Sequence, residues 1–243
     1  MPCRCKTYTV HPDDMKKLER SIMNQRQIHE VGGSMVIKGK YLRIGAKTKG
    51  GDDSVDIHTS PVNYHTHPNL CKDSKHGGTP DDCAIGVPSN VDLGHIFEKA
   101  FDGNNMVHLV VSHDGVYKVS VKPAVRERLI RKALVSYRAK RKPSAASTRR
   151  WEAGGEKCVF SEGMMPTELK PLVTKEAAKW QNRYKRLEDE YADHFETRSY
   201  PAFKRKWLKA AHDDGIFDVK VYRKGQRVSV EMCEECVQGI CVD

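Results

Sequence analysis

No stretch of this chain approaches the roughly 20 consecutive apolar residues that span a bilayer. Its amino terminus, MPCRCKTYTV, also lacks the apolar run of a secretory leader. These absences argue against a membrane-spanning or conventionally secreted protein, and the expectation is a soluble, intracellular (cytoplasmic) one. Apolar residues are scarce as a class, 38% of 243. A core of ordinary size is therefore expected over roughly half to two-thirds of the length. No internal repeat is evident. No helix-turn-helix or RNP-like pattern is present either, which disfavours a bare nucleic-acid-binding module.

Acidic residues are nearly missing from one segment. Residues 124–150 hold ten Lys and Arg against a single acid, Glu127, so they carry +9 of the formal +10 and leave +1 for the rest. Any contact with a polyanion or an acidic protein is expected there, while a solvated helix face is the simpler use of the same charge. The eight cysteines stand at 3, 5, 71, 83, 158, 233, 236 and 241. Without a leader, reduced thiols or metal ligands are expected. The terminal C-x2-C-x4-C is half of a zinc pattern that Cys3 or Cys5 would have to complete, with free thiols or late-formed disulfides as the other readings.

Apolar spacing predicts a helix over 11–29 with Met15, Leu18, Ile22 and Met23 on one face. EVGGSMVI and YLRIGA read as two strands joined at Gly39-Lys40, and a short strand over 54–62 leads into YHTHP. Ser89 opens a helix, SNVDLGHIFEKAF, with Val91, Ile96 and Ala100 turned partly inward. MVHLVVS and VYKVSV flank the turn His113-Asp114-Gly115 as a hairpin. After Pro123 the spacing predicts a basic helix over 124–142 with Val125, Leu129, Leu134 and Tyr137 on one side. PSAASTRRWEAGGEK reads as a linker. A helix over 174–196 follows, whose stripe of Trp180, Tyr184, Leu187 and Tyr191 reads as core packing. A short helix at Phe203, Trp207 and Leu208 comes next, and the chain closes in a hairpin turning at Lys224-Gly225. The expected architecture is α/β (α+β), a mixed sheet flanked by helices over 1–123, with a basic helical extension over 124–243 ending in that hairpin.

His65 and His67 are two residues apart, so on an extended segment both imidazoles point to one face and reach one ion. Asp92, in the first turn of the next helix, can supply a carboxylate oxygen. Three protein ligands leave a position open, the arrangement of a catalytic zinc rather than a structural one. Glu30, directly before Val31-Gly32-Gly33, is held on rigid backbone as a candidate general base. Ser89, three residues before Asp92, lies at the same helix start and can donate to an oxyanion. His29, His58, His76, His95, His108 and His113 lack such a context and read as surface or core residues.

Glu30, His65-Thr66-His67-Pro68 and Ser89-Asn90-Val91-Asp92, in that order, resemble the JAMM (MPN+) zinc metalloproteases. Their motif is a glutamate, then H-[ST]-H-P, then S-x-x-D. The resemblance covers roughly residues 10–122. It implies a JAMM core holding one Zn2+ through His65, His67 and Asp92, with Glu30 activating water and Ser89 stabilising the tetrahedral intermediate. It also implies a substrate of protein class, for most of the family an isopeptide bond to a ubiquitin-like protein. The chain departs from the family between Pro68 and Ser89, where twenty residues stand in place of about seven. That insertion carries Cys71, His76 and Cys83, which suit a disulfide clamp or a second metal. The rival reading is a structural or assembly protein, such as a capsid-associated protein of a large DNA virus. It would keep the site but join a larger complex, in a virion for instance, through its basic half.

Overall fold

A computed structural model describes residues 5–23, 30–49, 60–67, 86–101, 107–140, 169–192 and 200–233. The insertion with Cys71, His76 and Cys83 lies outside these residues, as do His29, His58, Pro68, Cys158, the linker and the cysteines at 3, 236 and 241. Eight strands and five helices are described. They are β1 (Cys5–Val10), α1 (Pro12–Met23), β2 (Val31–Lys38), β3 (Tyr41–Lys49), β4 (Val62–Thr66), α2 (Asn90–Lys99), β5 (Val107–Ser112) and β6 (Gly115–Val121). α3 (Pro123–Lys140), α4 (Leu169–Ala192), α5 (Tyr200–Asp214), β7 (Phe217–Tyr222) and β8 (Ser229–Cys233) complete the order. None of these helices is long and apolar enough to cross a membrane.

The strands form one mixed sheet in the order β7-β6-β5-β4-β2-β3-β1-β8. β4 and β5 are parallel, so a crossover must join them, and α2 lies within it. Period-2 alternation sends Val62 and Tyr64 of β4, with Leu109 and Val111 of β5, to one face. There they pack with Met15, Leu18 and Ile22 of α1. Val110, Tyr117 and Val119 face the opposite way, against Leu93, Ile96 and Phe97 of α2. Trp180 and Tyr184 of α4 and Trp207 of α5 complete this second cluster. The aromatic stripe is thus core, as its spacing predicts. Val91 is an exception to the inward set of α2: it is 54% exposed, because its position in the first turn faces away from the sheet. The described part of the basic segment is α3, which buries Val125 and Leu129 and leaves Arg128, Arg131 and Lys132 outside.

The strands expected at the end are present, but they do not form a hairpin. β7 pairs with β6 and β8 pairs with β1, at opposite ends of the strand order. The sheet curls until those ends meet: Tyr222 Oη of β7 donates to the Ser229 carbonyl of β8 at 2.8 Å. Lys224-Gly225 marks the turn correctly, yet the backbone groups on either side find better partners at the two sheet edges. β1–β8 pairing also sets Cys5 opposite Cys233. Cys5 is disulfide-bonded, which corrects the expectation of reduced thiols or metal ligands at that position.

Candidate metal centre

β4 runs beside β2 and β5, with Gly32 opposite His65 and His65 opposite Val110. The alternation that buries Val62 and Tyr64 against α1 turns His65 to the other face, beneath the start of α2. His65 and His67 are 2% and 5% exposed. Thr66, between them, accepts a hydrogen bond from Val31 N at 3.1 Å, which ties the residue after Glu30 to the histidine strand. Gly33 permits the tight passage of β2, since a Cβ there would meet the Ala46 carbonyl oxygen at 2.2 Å.

Ser89 is the N-cap of α2. Its Oγ accepts from Asp92 N at 3.1 Å, and Asp92 Oδ2 accepts from Ser89 N at 2.7 Å. The S-x-x-D spacing is therefore a capping box, with aspartate in the place of the usual glutamate. Its effect is to lock the Asp92 carboxylate over the histidines. Asp92 Oδ1 lies 3.2 Å from His65 Nε2, and Oδ2 lies 3.2 Å from His67 Nε2. The two Nε2 atoms are 2.8 Å apart. Glu30 Oε1 stands 3.8 Å from His67 Nε2. All five residues named from the sequence thus converge on one place.

Ligand atoms of Glu30, His65 and His67 lie within 4.8 Å of one another, close enough to hold a metal ion. The donor chemistry fits: two imidazoles and carboxylate oxygens are hard-to-borderline ligands suited to a divalent cation. Nitrogens on one tetrahedral zinc are about 3.3 Å apart at the usual bond lengths. A spread of about half an ångström from the 2.8 Å observed would reach that value. Burial works against charge on Asp92, but the His65 and His67 rings beside it hold its carboxyl well below the usual carboxylate range. An ionised oxygen donor is what a cation site needs.

Two residues of this site were not marked by the sequence. His108, from β5, is fully buried, and its Nε2 lies 2.5 Å from His65 Nδ1. Burial and the adjacent His65 push its imidazole well below the usual histidine range. The available signal was a histidine on a strand whose other members are all apolar or small. Glu188, from α4, accepts from Asn90 N at 2.6 Å and also from the Asn90 side chain. It thereby fastens the first turn of α2 to the C-terminal half of the chain. Burial pushes Glu188 up to about 7, with Asn90 opposing the shift.

No protein-family model matches this chain, and no curated protein matches it.

Proposed function

We propose that the protein is a zinc-dependent hydrolase of peptide or isopeptide bonds, related in chemistry to the JAMM metalloproteases. The observation that supports this reading is the convergence of Glu30, His65, His67, Ser89 and Asp92 from three separate segments onto one largely buried place. Two histidines, an ionised aspartate and a nearby glutamate are more than packing requires. Buried polar groups of this kind cost stability unless they are paired. Zinc would be held by His65, His67 and Asp92, and when bound it supplies Lewis acidity.

The chain's own residues do the remaining work. Glu30 is 17% exposed, so it is partly withdrawn from solvent yet reachable from it. It takes the proton of an attacking water and returns it to the leaving amine nitrogen, as a general base and then a general acid. The Ser89 oxygen already accepts from Asp92 N, and its hydroxyl hydrogen remains to stabilise the developing oxyanion. Val91, exposed between Ser89 and Asp92, offers an apolar contact at the rim for a protein substrate. A ubiquitin-like protein is the substrate class to try first.

Metal analysis of the purified protein should find about one zinc per chain, lost in His67→Ala and Asp92→Ala. Glu30→Gln should retain the zinc and lose roughly 10²–10⁴-fold in cleavage of ubiquitin-type chains. Metal-free wild-type protein would overturn the reading. Cleavage that survives Glu30→Gln would remove Glu30 from its role.

A further inference from the structure

We propose that His108 is the positioning residue of this centre: it accepts the Nδ1–H of His65 and so holds His65 with its Nε2 lone pair facing His67, Asp92 and Glu30. The inference rests on the metal-centre reading and extends it to a residue outside the recognised pattern. An imidazole that ligates through Nε2 carries its hydrogen on Nδ1, and that N–H needs an acceptor. The atom beside His65 Nδ1 is His108 Nε2, at 2.5 Å, with the two rings 4.8 Å apart between centroids. His108 must be neutral to accept, with its own hydrogen on Nδ1. Its ring is fully buried on β5 and so is fixed beside His65.

The opposite assignment would make His108 the donor and place the His65 hydrogen on Nε2. That hydrogen would then occupy the direction in which a ligand lone pair must point. Two contacts compete for the one His65 hydrogen, Nε2 with Asp92 Oδ1 at 3.2 Å and Nδ1 with His108 Nε2 at 2.5 Å, and the shorter one takes it. His67 Nε2–H reaches both Asp92 Oδ2 at 3.2 Å and the free lone pair of His65 Nε2 at 2.8 Å. Histidine ligands usually donate their second N–H to a carboxylate, a backbone carbonyl or water. Here the partner on offer is instead a ring nitrogen, that of His108. His108 Nδ1 has no hydrogen-bond partner among the described residues, so this tautomer leaves its N–H a buried unpaired donor, a cost that the short His65 contact must outweigh.

The test uses the full chain in three forms: wild type, His108→Val and His108→Gln. Zn2+ dissociation constants come from competition with a chromophoric chelator, and two-bond 1H–15N spectra read the His65 tautomer directly. His108→Val should weaken Zn2+ binding roughly 10- to 100-fold. His108→Gln, whose amide oxygen can accept, should recover most of that loss. Wild-type spectra should show His65 protonated at Nδ1, with and without zinc. A folded His108→Val that binds Zn2+ within twofold of wild type would overturn the proposal, as would a folded Gln variant no better than Val. Protonation of His65 at Nε2 in the wild type would do the same. If wild-type protein binds no Zn2+, the metal-centre reading fails by itself, and the metal-free spectrum still decides the tautomer. That spectrum also decides it if neither variant folds.

Discussion

Asp114, at the tip of the β5–β6 turn, accepts hydrogen bonds from Ser112 Oγ at 2.6 Å, Lys204 Nζ at 2.7 Å, Tyr117 Oη at 2.8 Å and Tyr200 Oη at 2.9 Å. Lys204 and Tyr200 belong to α5, so one carboxylate anchors a C-terminal helix to the turn beside β5. Burial alone would raise its pKa, but the four donors, Lys204 first, outweigh that and hold it at about 2. A carboxyl depressed in the folded state contributes stability above its unfolded value of about 3.9 and loses it as pH falls toward 2. Asp114→Asn should therefore lower unfolding free energy at pH 7 by about 2 kcal/mol, measured by urea denaturation. The wild type should lose stability between about pH 4 and pH 2 more steeply than the variant. Equal acid slopes would mean that Asp114 is not the group responsible. At this same scale the grouping of the candidate metal ligands was largely legible beforehand. His65 and His67 share a five-residue fragment, and Ser89 and Asp92 share one helix start, so their relation is local. His108 was not legible, because it meets His65 only through the parallel pairing of β4 with β5, which no local pattern encodes.

α4 lies against α2, and both the closeness and the chemistry of that contact bear on the site. Gly94 faces α4 where a Cβ would stand 2.7 Å from Gln181 Nε2. About one turn earlier in α2, Asn90 donates to Glu188 of α4. A raised folded pKa on an acid has the opposite sign to the Asp114 case: the folded state holds the proton more tightly than the unfolded chain. Stability then falls as pH rises from the unfolded value of about 4.3 through about 7. Glu188→Gln should flatten that decline and raise the melting temperature at pH 8 relative to wild type. Glu188→Ala should lower it at pH 5, since Asn90 N loses its acceptor. Thermal scans of the three proteins from pH 5 to pH 8 check both statements, and parallel curves would remove Glu188 as their cause. The existence of α4 was readable from its aromatic spacing, but its start was not. Pro171 suggests an end to regular structure, whereas it sits in the first turn, where proline is tolerated. Leu169 and Val173, each 1% exposed, anchor that extra turn in the core. Pairing of the last two strands was likewise beyond local reading, since a turn signal names a bend and not the partner of each strand.

Strands from both ends of the chain complete the sheet at the scale of the whole molecule. β8 covers β1, β7 covers β6, and the curl leaves each of these edges short and close to the other. Val110, Tyr117, Val119 and Val121, which precede residue 124, are buried in one cluster with Leu129, Trp180, Tyr184, Trp207 and Phe217, which follow it. A fragment ending at residue 123 would expose that face of the sheet and leave β1 and β6 with unpaired backbone. Burial of a large side chain is worth roughly 1.5–3 kcal/mol, so losing several such contacts exceeds the net stability of an ordinary domain. The expected outcome is that residues 1–123 alone are not stably folded, that they bind Zn2+ far more weakly than the full chain, and that the full chain unfolds in one cooperative transition. Circular dichroism, chelator competition and calorimetry on the two proteins measure these directly. A fragment that folds and binds Zn2+ as tightly as the full chain would show that the C-terminal half is dispensable for the centre. The basic half would then be free to act as an attachment to something else. If the fragment fails as expected, Glu188 and the α4 packing make that half part of the scaffold of the candidate site, and its outward cations are the face it turns to solvent.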